Sequence, residues 1–236
     1  MKNLIKTFLF FFFLSNISIA TGQSAIGGKL GFNLSTLKGD IGLFASDESK
    51  RVNFGWQFGA VLEIEMDNRL SFQPELIFIQ KGIDSKFSTI RSEGQVDYES
   101  FTNINFIEIP ILLKVKYGNK DRINFFFTAG PSIGYIINSK LTRIRTVEEL
   151  TTKTSFDFIR INTDQFKRFD TSISLGAGVN YPIGPGKFFA EARYLFGITN
   201  LIKAGRLGGP DNLRNRGIGL STGYLVSIGK NKNSKI

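Results

Sequence analysis

The sequence predicts an all-β protein, an eight-stranded antiparallel up-and-down transmembrane β-barrel. Three observations carry that expectation. Period-two alternation runs through eight segments, at 27–36, 52–66, 69–80, 104–117, 123–138, 169–182, 187–198 and 217–229. Their connections alternate between short (67–68, 118–122, 183–186) and long (37–51, 81–103, 139–168, 199–216). Large apolar residues crowd one face of these segments and glycines crowd the other. Most segments reach the ~9–11 residues of a tilted membrane strand.

Ahead of the first strand, the N-terminus reads as an address. Lys2 and Lys6 precede the apolar run 8–14, and small residues follow at Ser18, Ala20 and Gly22. That is the layout of a secretory signal peptide. The run is shorter than the ~20 apolar residues of a membrane helix. The expected domains are a signal at 1–22, cleaved after 20 or 22, and a barrel over 23–236. With no cysteine in the chain, disulfides do not staple the fold.

Alternation alone does not say which face meets lipid, because a soluble barrel alternates with its apolar face inward. Side-chain size decides. Trp56, Phe58, Leu62, Phe72, Leu76, Phe78, Ile109, Ile111, Phe125 and Phe127 share one parity; Gly55, Gly59, Gly130, Gly134, Gly176 and Gly178 share the other. Water-facing strands carry lysine and glutamate, whereas the inside of a narrow barrel needs small residues. The apolar face therefore points outward. Tyr117, Tyr135, Tyr181, Tyr194 and Tyr224 have outward parity; Tyr117 and Tyr181 close strands at the short-turn end and Tyr135 lies near a long-loop end, the placement of interfacial aromatic girdles, and Tyr98 falls in a loop. Short turns then lie on the periplasmic side and long loops outside.

Several chemistries are excluded. The chain has no histidine, which removes His-based hydrolysis, and without His or Cys the usual zinc sites go too. Glu63 and Glu65 share a face but form no cleft, and the pairs Asp47-Glu48 and Glu148-Glu149 lack the spacing of a calcium site. No enzyme activity, metal or cofactor is expected. The formal charge is +10. No basic run with interleaved aromatics accompanies it, so nucleic acid is not the expected partner and anionic lipid is.

Charges with inward parity are the informative ones: Glu63, Glu65, Glu75, Glu108, Lys114, Lys116, Glu191 and Arg193. A ring of eight strands is only side-chain wide, so buried charges must pair. Glu75, Glu108, Glu191 and Arg193 are the candidate lumen network, with Arg193 reaching across to Glu75. Counting from the short turns places Val61 opposite Glu75, Ser174 opposite Arg193 and Gly176 opposite Glu191. A pore lined by the same groups is the rival reading; the inward Ile77, Ile79, Leu112, Phe126 and Leu195 favour a filled lumen. In the loops, 139–168 holds seven Lys/Arg against four Asp/Glu, and 199–216 holds four against one. Arg206, Arg214 and Arg216 are the candidate contacts to lipopolysaccharide phosphates.

The runs 69–82 (RLSFQPELIFIQKG), 107–114 (IEIPILLK), 129–135 (AGPSIGY), 176–181 (GAGVNY) and 189–194 (FAEARY) resemble the PorT-like outer-membrane β-barrel family of Bacteroidota. The resemblance implies an eight-stranded barrel in the outer membrane and no shared activity; its namesake is linked to the secretion and gliding apparatus. The expected function is that of a closed, monomeric barrel presenting loops outward or to envelope protein partners. The alternative is a narrow channel for ions or small solutes.

Overall fold

A computed structural model describes residues 24–38, 50–92, 94–147, 150–156, 167–201 and 213–228. The signal segment 1–22 and Arg206 lie outside the described residues. Among the described residues ten strands form: β1 (Ser24–Lys38), β2 (Lys50–Arg51), β3 (Asn53–Glu65), β4 (Leu70–Arg91), β5 (Gly94–Tyr117), β6 (Asn124–Val147), β7 (Leu150–Phe156), β8 (Phe169–Ile183), β9 (Gly186–Gly197) and β10 (Arg214–Ile228). Eight of them close a ring in the order β1-β3-β4-β5-β6-β8-β9-β10, every pairing antiparallel, with β10 returning to β1. Closure leaves no edge in the ring to template aggregation. The small strands β2 and β7 append to β4 and β6 beyond it.

The faces are inverted relative to a water-soluble protein. Outward residues are large, apolar and exposed, among them Trp56, Phe58, Leu76, Ile111, Phe125, Leu175 and Leu220. Inward residues are buried and largely polar. Phe58 stacks on Phe78 across β3 and β4, and Phe32, Phe54 and Trp56 form an aromatic cluster on the same outer wall.

The structure lengthens several strands. The segment 81–103 is no loop: β4 and β5 stay paired up to Arg91 opposite Gly94, and Tyr98, in β5, stacks on Phe87. Likewise β6 continues to Val147 and hairpins into β7. At ~3.3 Å per residue, β5 runs far past the ~25 Å apolar band of such a barrel. Outside that band polar residues stand on both strand faces, with Phe87, Ile90 and Val96 scattered among them, so the pairing continues where the alternation stops. Arg214 and Arg216 are also strand residues, at the start of β10.

One register differs from expectation. Arg193 stands opposite Gly176 and Glu191 opposite Gly178, two residues from the pairing counted in sequence, while Val61 does stand opposite Glu75. The β8–β9 ladder closes fully, Ile183 on Gly186, across a two-residue turn. Gly184 takes φ +58°, the left-handed conformation such a turn requires.

Candidate functional site

The lumen holds ion pairs in three tiers. At the centre Arg193, on β9, spans the ring to Glu75 on β4. Its Nη1 donates to Glu75 Oε2 at 2.9 Å and its Nη2 to Glu75 Oε1 at 2.7 Å. Nη2 also donates to Glu191 Oε2 at 2.7 Å. Lys29 on β1 completes the tier, 2.9 Å from Glu75 and 3.7 Å from Glu191. Gln73 Nε2 donates to Glu75, and the Thr128 hydroxyl donates to Glu191. Two carboxylates and two cations thus neutralise each other, none more than 6% exposed in its side chain. The planar guanidinium is what allows one cation to hold two carboxylates. Glycine opposite provides the room: a Cβ on Gly176 would sit 2.6 Å from Glu191 Oε1.

Glu108 does not join this tier. It pairs with Lys81 towards the long-loop end, and Lys81 also lies 3.7 Å from Asp170. Asn215 donates to Asp170 at 2.6 Å. Ile79, Ile104, Phe106, Ile136 and Leu195 form an apolar cluster, with Lys81 over the Phe106 ring. The separation follows from strand position: Glu108 faces Gly134 and Ile77, not the Gly178–Glu191 register.

The third tier closes the short-turn end. Glu63 accepts from Lys114 at 2.9 Å, Lys187 at 2.7 Å and Lys116 at 3.4 Å, and Lys116 also reaches Glu65 at 2.6 Å. Lys114 lies over the Phe126 ring, part of a second apolar cluster with Ala25, Val61, Phe189 and Leu225. Just below, in the β3–β4 turn, Asp67 accepts from the backbone N–H groups of Arg69 and Leu70 at 2.6 and 2.8 Å, which hold its carboxyl below the usual value.

Lys29, Lys81, Asp170 and Lys187 belong to these tiers, and sequence reasoning missed all four. Lys29 shares parity with Gly27 and Gly31, which was signal enough; Asp170 and Lys187 stand at strand ends, and Lys81 fell in the supposed loop. Arg214 and Arg216 are elsewhere, on the outward side of β10. Arg216 stacks 3.6 Å from the Phe196 ring centroid and donates to the carbonyls of Gly197 and Asn215. Lys38 stands opposite Arg214 on β1. Among the described residues no acidic group forms a metal-binding set.

The sequence matches the family described as outer membrane protein beta-barrel domain over residues 16–203. No curated protein matches it. Among solved structures the chain is similar to OprG of Pseudomonas aeruginosa, at 9% identity and TM-score 0.49 over 89% of this chain and 97% of that one. It is similar to Neisserial surface protein A at 13% identity and TM-score 0.40, covering 87% and 97%. It is also similar to Ail of Yersinia pestis at 16% identity and TM-score 0.36, covering 86% and 98%. The family match spans most of the chain, and the closed ring with its apolar outer wall is what that family requires: the chain belongs to the outer membrane protein beta-barrel domain family and lies in the bacterial outer membrane.

Proposed function

We propose that this protein is a closed, non-enzymatic barrel whose lumen is plugged by its ion pairs and whose outer hairpins and loops are its working surface. The single observation that carries the reading is the central tier, where Arg193 is bound to Glu75 and Glu191 at once. Parting those groups to admit ions would strand buried carboxylates in a low-dielectric interior, a cost of several kcal/mol per ion. Apolar side chains fill much of the remaining lumen. The test is conductance in a planar bilayer. The wild-type barrel is expected to be electrically silent, and steady single-channel currents would install the narrow-channel reading in its place.

Within the family, the runs at 69–82, 107–114 and 176–181 support membership of the PorT-like branch of Bacteroidota. A role beside secretion or envelope machinery, as a monomer with protein partners, follows from that branch. Arg214 and Arg216, together with Arg206, are proposed to meet lipopolysaccharide phosphates at the outer rim. Lys38, facing Arg214, adds to the same positive sector. Charge reversal at the three arginines should weaken binding to anionic glycolipid at low salt, where such attraction is least screened.

A further inference from the structure

On the wall facing away from β10, the outward rows of β4, β5 and β6 change character at one level. Phe78, Ile107 and Tyr135 form a cross-strand row on the outer face, Phe78 half-buried and Ile107 and Tyr135 exposed, and the exposed Ile109 and Ile133 continue it downward. The next outward row is Gln80, Asn105 and Asn138. Gln80 Nε2 donates to Asn105 Oδ1 at 3.1 Å, and Asn105 Nδ2 donates to Asn138 Oδ1 at 2.6 Å. Two residues along a strand advance the chain by less than ~7 Å. The amides therefore lie in the headgroup layer, which is ~5–8 Å thick on each side of the hydrocarbon core.

A bulge puts the third amide there. Register shifts between Asn105 and Phe106, where β6 carries an extra residue. Simple alternation from Tyr135 would turn Asn138 into the lumen; instead Ile137 and Asn138 are both exposed. Bulges re-aim side chains in this way and gather at functional sites. The same stretch lies where the sheet forks. Tyr135 pairs with Phe169 of β8, and the partner of β6 is next a strand at Leu141, which pairs with Phe156 of β7. Beside the fork lies a groove of about 430 Å³, lined by Gln80, Asn103, Asn105, Asn138, Lys140 and Phe156 among others. That volume is within the ~300–1,000 Å³ of small-ligand sites.

We infer that this groove binds the sugar headgroup of an outer-leaflet glycolipid, with the acyl chains lying down the wall over Tyr135, Ile107 and Ile109. A carboxamide donates and accepts at once, which matches the hydroxyls and acylamides of a sugar ring. Among the described residues no carboxylate lines the groove, and Lys140 supplies one positive charge for a phosphate or acid group on the sugar. Location commits the site to a membrane-borne sugar, because the amides start where the apolar wall stops. The inference rests neither on the closed lumen nor on the arginine sector, which is on the far side of the ring.

The full barrel in detergent micelles is titrated with lipooligosaccharide, with the deacylated oligosaccharide and with phosphatidylglycerol. The Asn105→Ala/Asn138→Ala variant is expected to bind lipooligosaccharide about tenfold more weakly, the loss of two ordinary hydrogen bonds. Its phosphatidylglycerol binding and heat-modifiable gel mobility should not change, and the deacylated sugar should bind the wild type less tightly than the glycolipid. Should the double variant fail to fold, the exposed Asn138→Ala alone is expected to show a smaller loss in the same arm. Undiminished lipooligosaccharide binding by a folded variant overturns the site, and equal binding of the deacylated sugar overturns the glycolipid assignment. A loss produced only by changing Arg214 and Arg216 assigns the glycolipid to the arginine sector instead.

Discussion

The central and periplasmic tiers of the lumen solve one problem differently. At the centre, Glu75 and Glu191 face Arg193 and Lys29, charge for charge, with every side chain sealed from water. At the periplasmic mouth three lysines surround Glu63, and their side-chain exposure rises from 1% at Lys114 to 12% at Lys116 and 19% at Lys187. An excess cation survives only where it can touch solvent, because an uncompensated charge in a dry site costs several kcal/mol. Balance is thus imposed by dryness, and the mouth escapes it by being partly wet.

The comparison breaks first at Arg193. Arg193→Ala leaves two buried carboxylates with Lys29 alone, and an expected loss of about 3–5 kcal/mol in urea unfolding from lipid vesicles. Arg193→Lys should recover only part, since an ammonium lacks the fork that holds both partners. If water enters the truncated lumen, stability falls less and conductance appears. A variant with wild-type stability and no current would show that the centre is not sealed as described.

A charge on the opposite face of the same wall tests dryness from the lipid side. Ile111, outward on β5, lies mid-wall and is 38% exposed. Ile111→Arg should cost roughly 2–4 kcal/mol, the range for arginine at the bilayer midplane. A cost near zero would place this residue at an interface and shift the barrel's depth in the membrane.

Lys187→Met should cost much less, about 1 kcal/mol or below, because Glu63 keeps Lys114 and Lys116 and the lost cation was partly solvated. If its unfolding midpoint fell as far as that of Arg193→Ala, the distinction between wet mouth and dry centre would be gone.

What the sequence revealed follows the same physics. Parity is enforced wherever one face meets lipid and the other a narrow lumen, so the ring, its outward face and the inward Glu75, Glu108, Glu191 and Arg193 were legible from period two. The signal fails where that contrast ends. Beyond the bilayer, β4 and β5 mix polar and apolar residues on both faces, and their hairpin reads as a loop that swallowed Lys81. Backbone detail was also silent: the positive φ of Gly184 decides the β8–β9 register, and the extra residue near Ile137 reverses the parity of β6 above it. The division of the network into tiers was hidden for a related reason, since strand position along the lumen depends on those registers.

The smallest expected effect lies just outside the mouth, at Asp67. Its carboxylate accepts two backbone N–H groups of its own turn, and those bonds, with a lesser pull from Lys116 and Arg69, lower its pKa from the ordinary 3.8. The sign follows directly. A depressed carboxylate stabilises the fold fully above its unfolded pKa, and the contribution disappears as pH falls through the lower folded value. Asp67→Asn keeps an acceptor oxygen and discards the charge, so it should lower the unfolding midpoint slightly at pH 7. As the medium is taken below pH 3.8, the wild-type carboxyl protonates and the two midpoints should converge. Exposed beyond those two bonds, this group is well screened by water, and its effect should be the least of the four. A gap that persists undiminished in acid would mean that the side chain holds the turn by geometry alone, and that charge matters in this barrel only inside the ring.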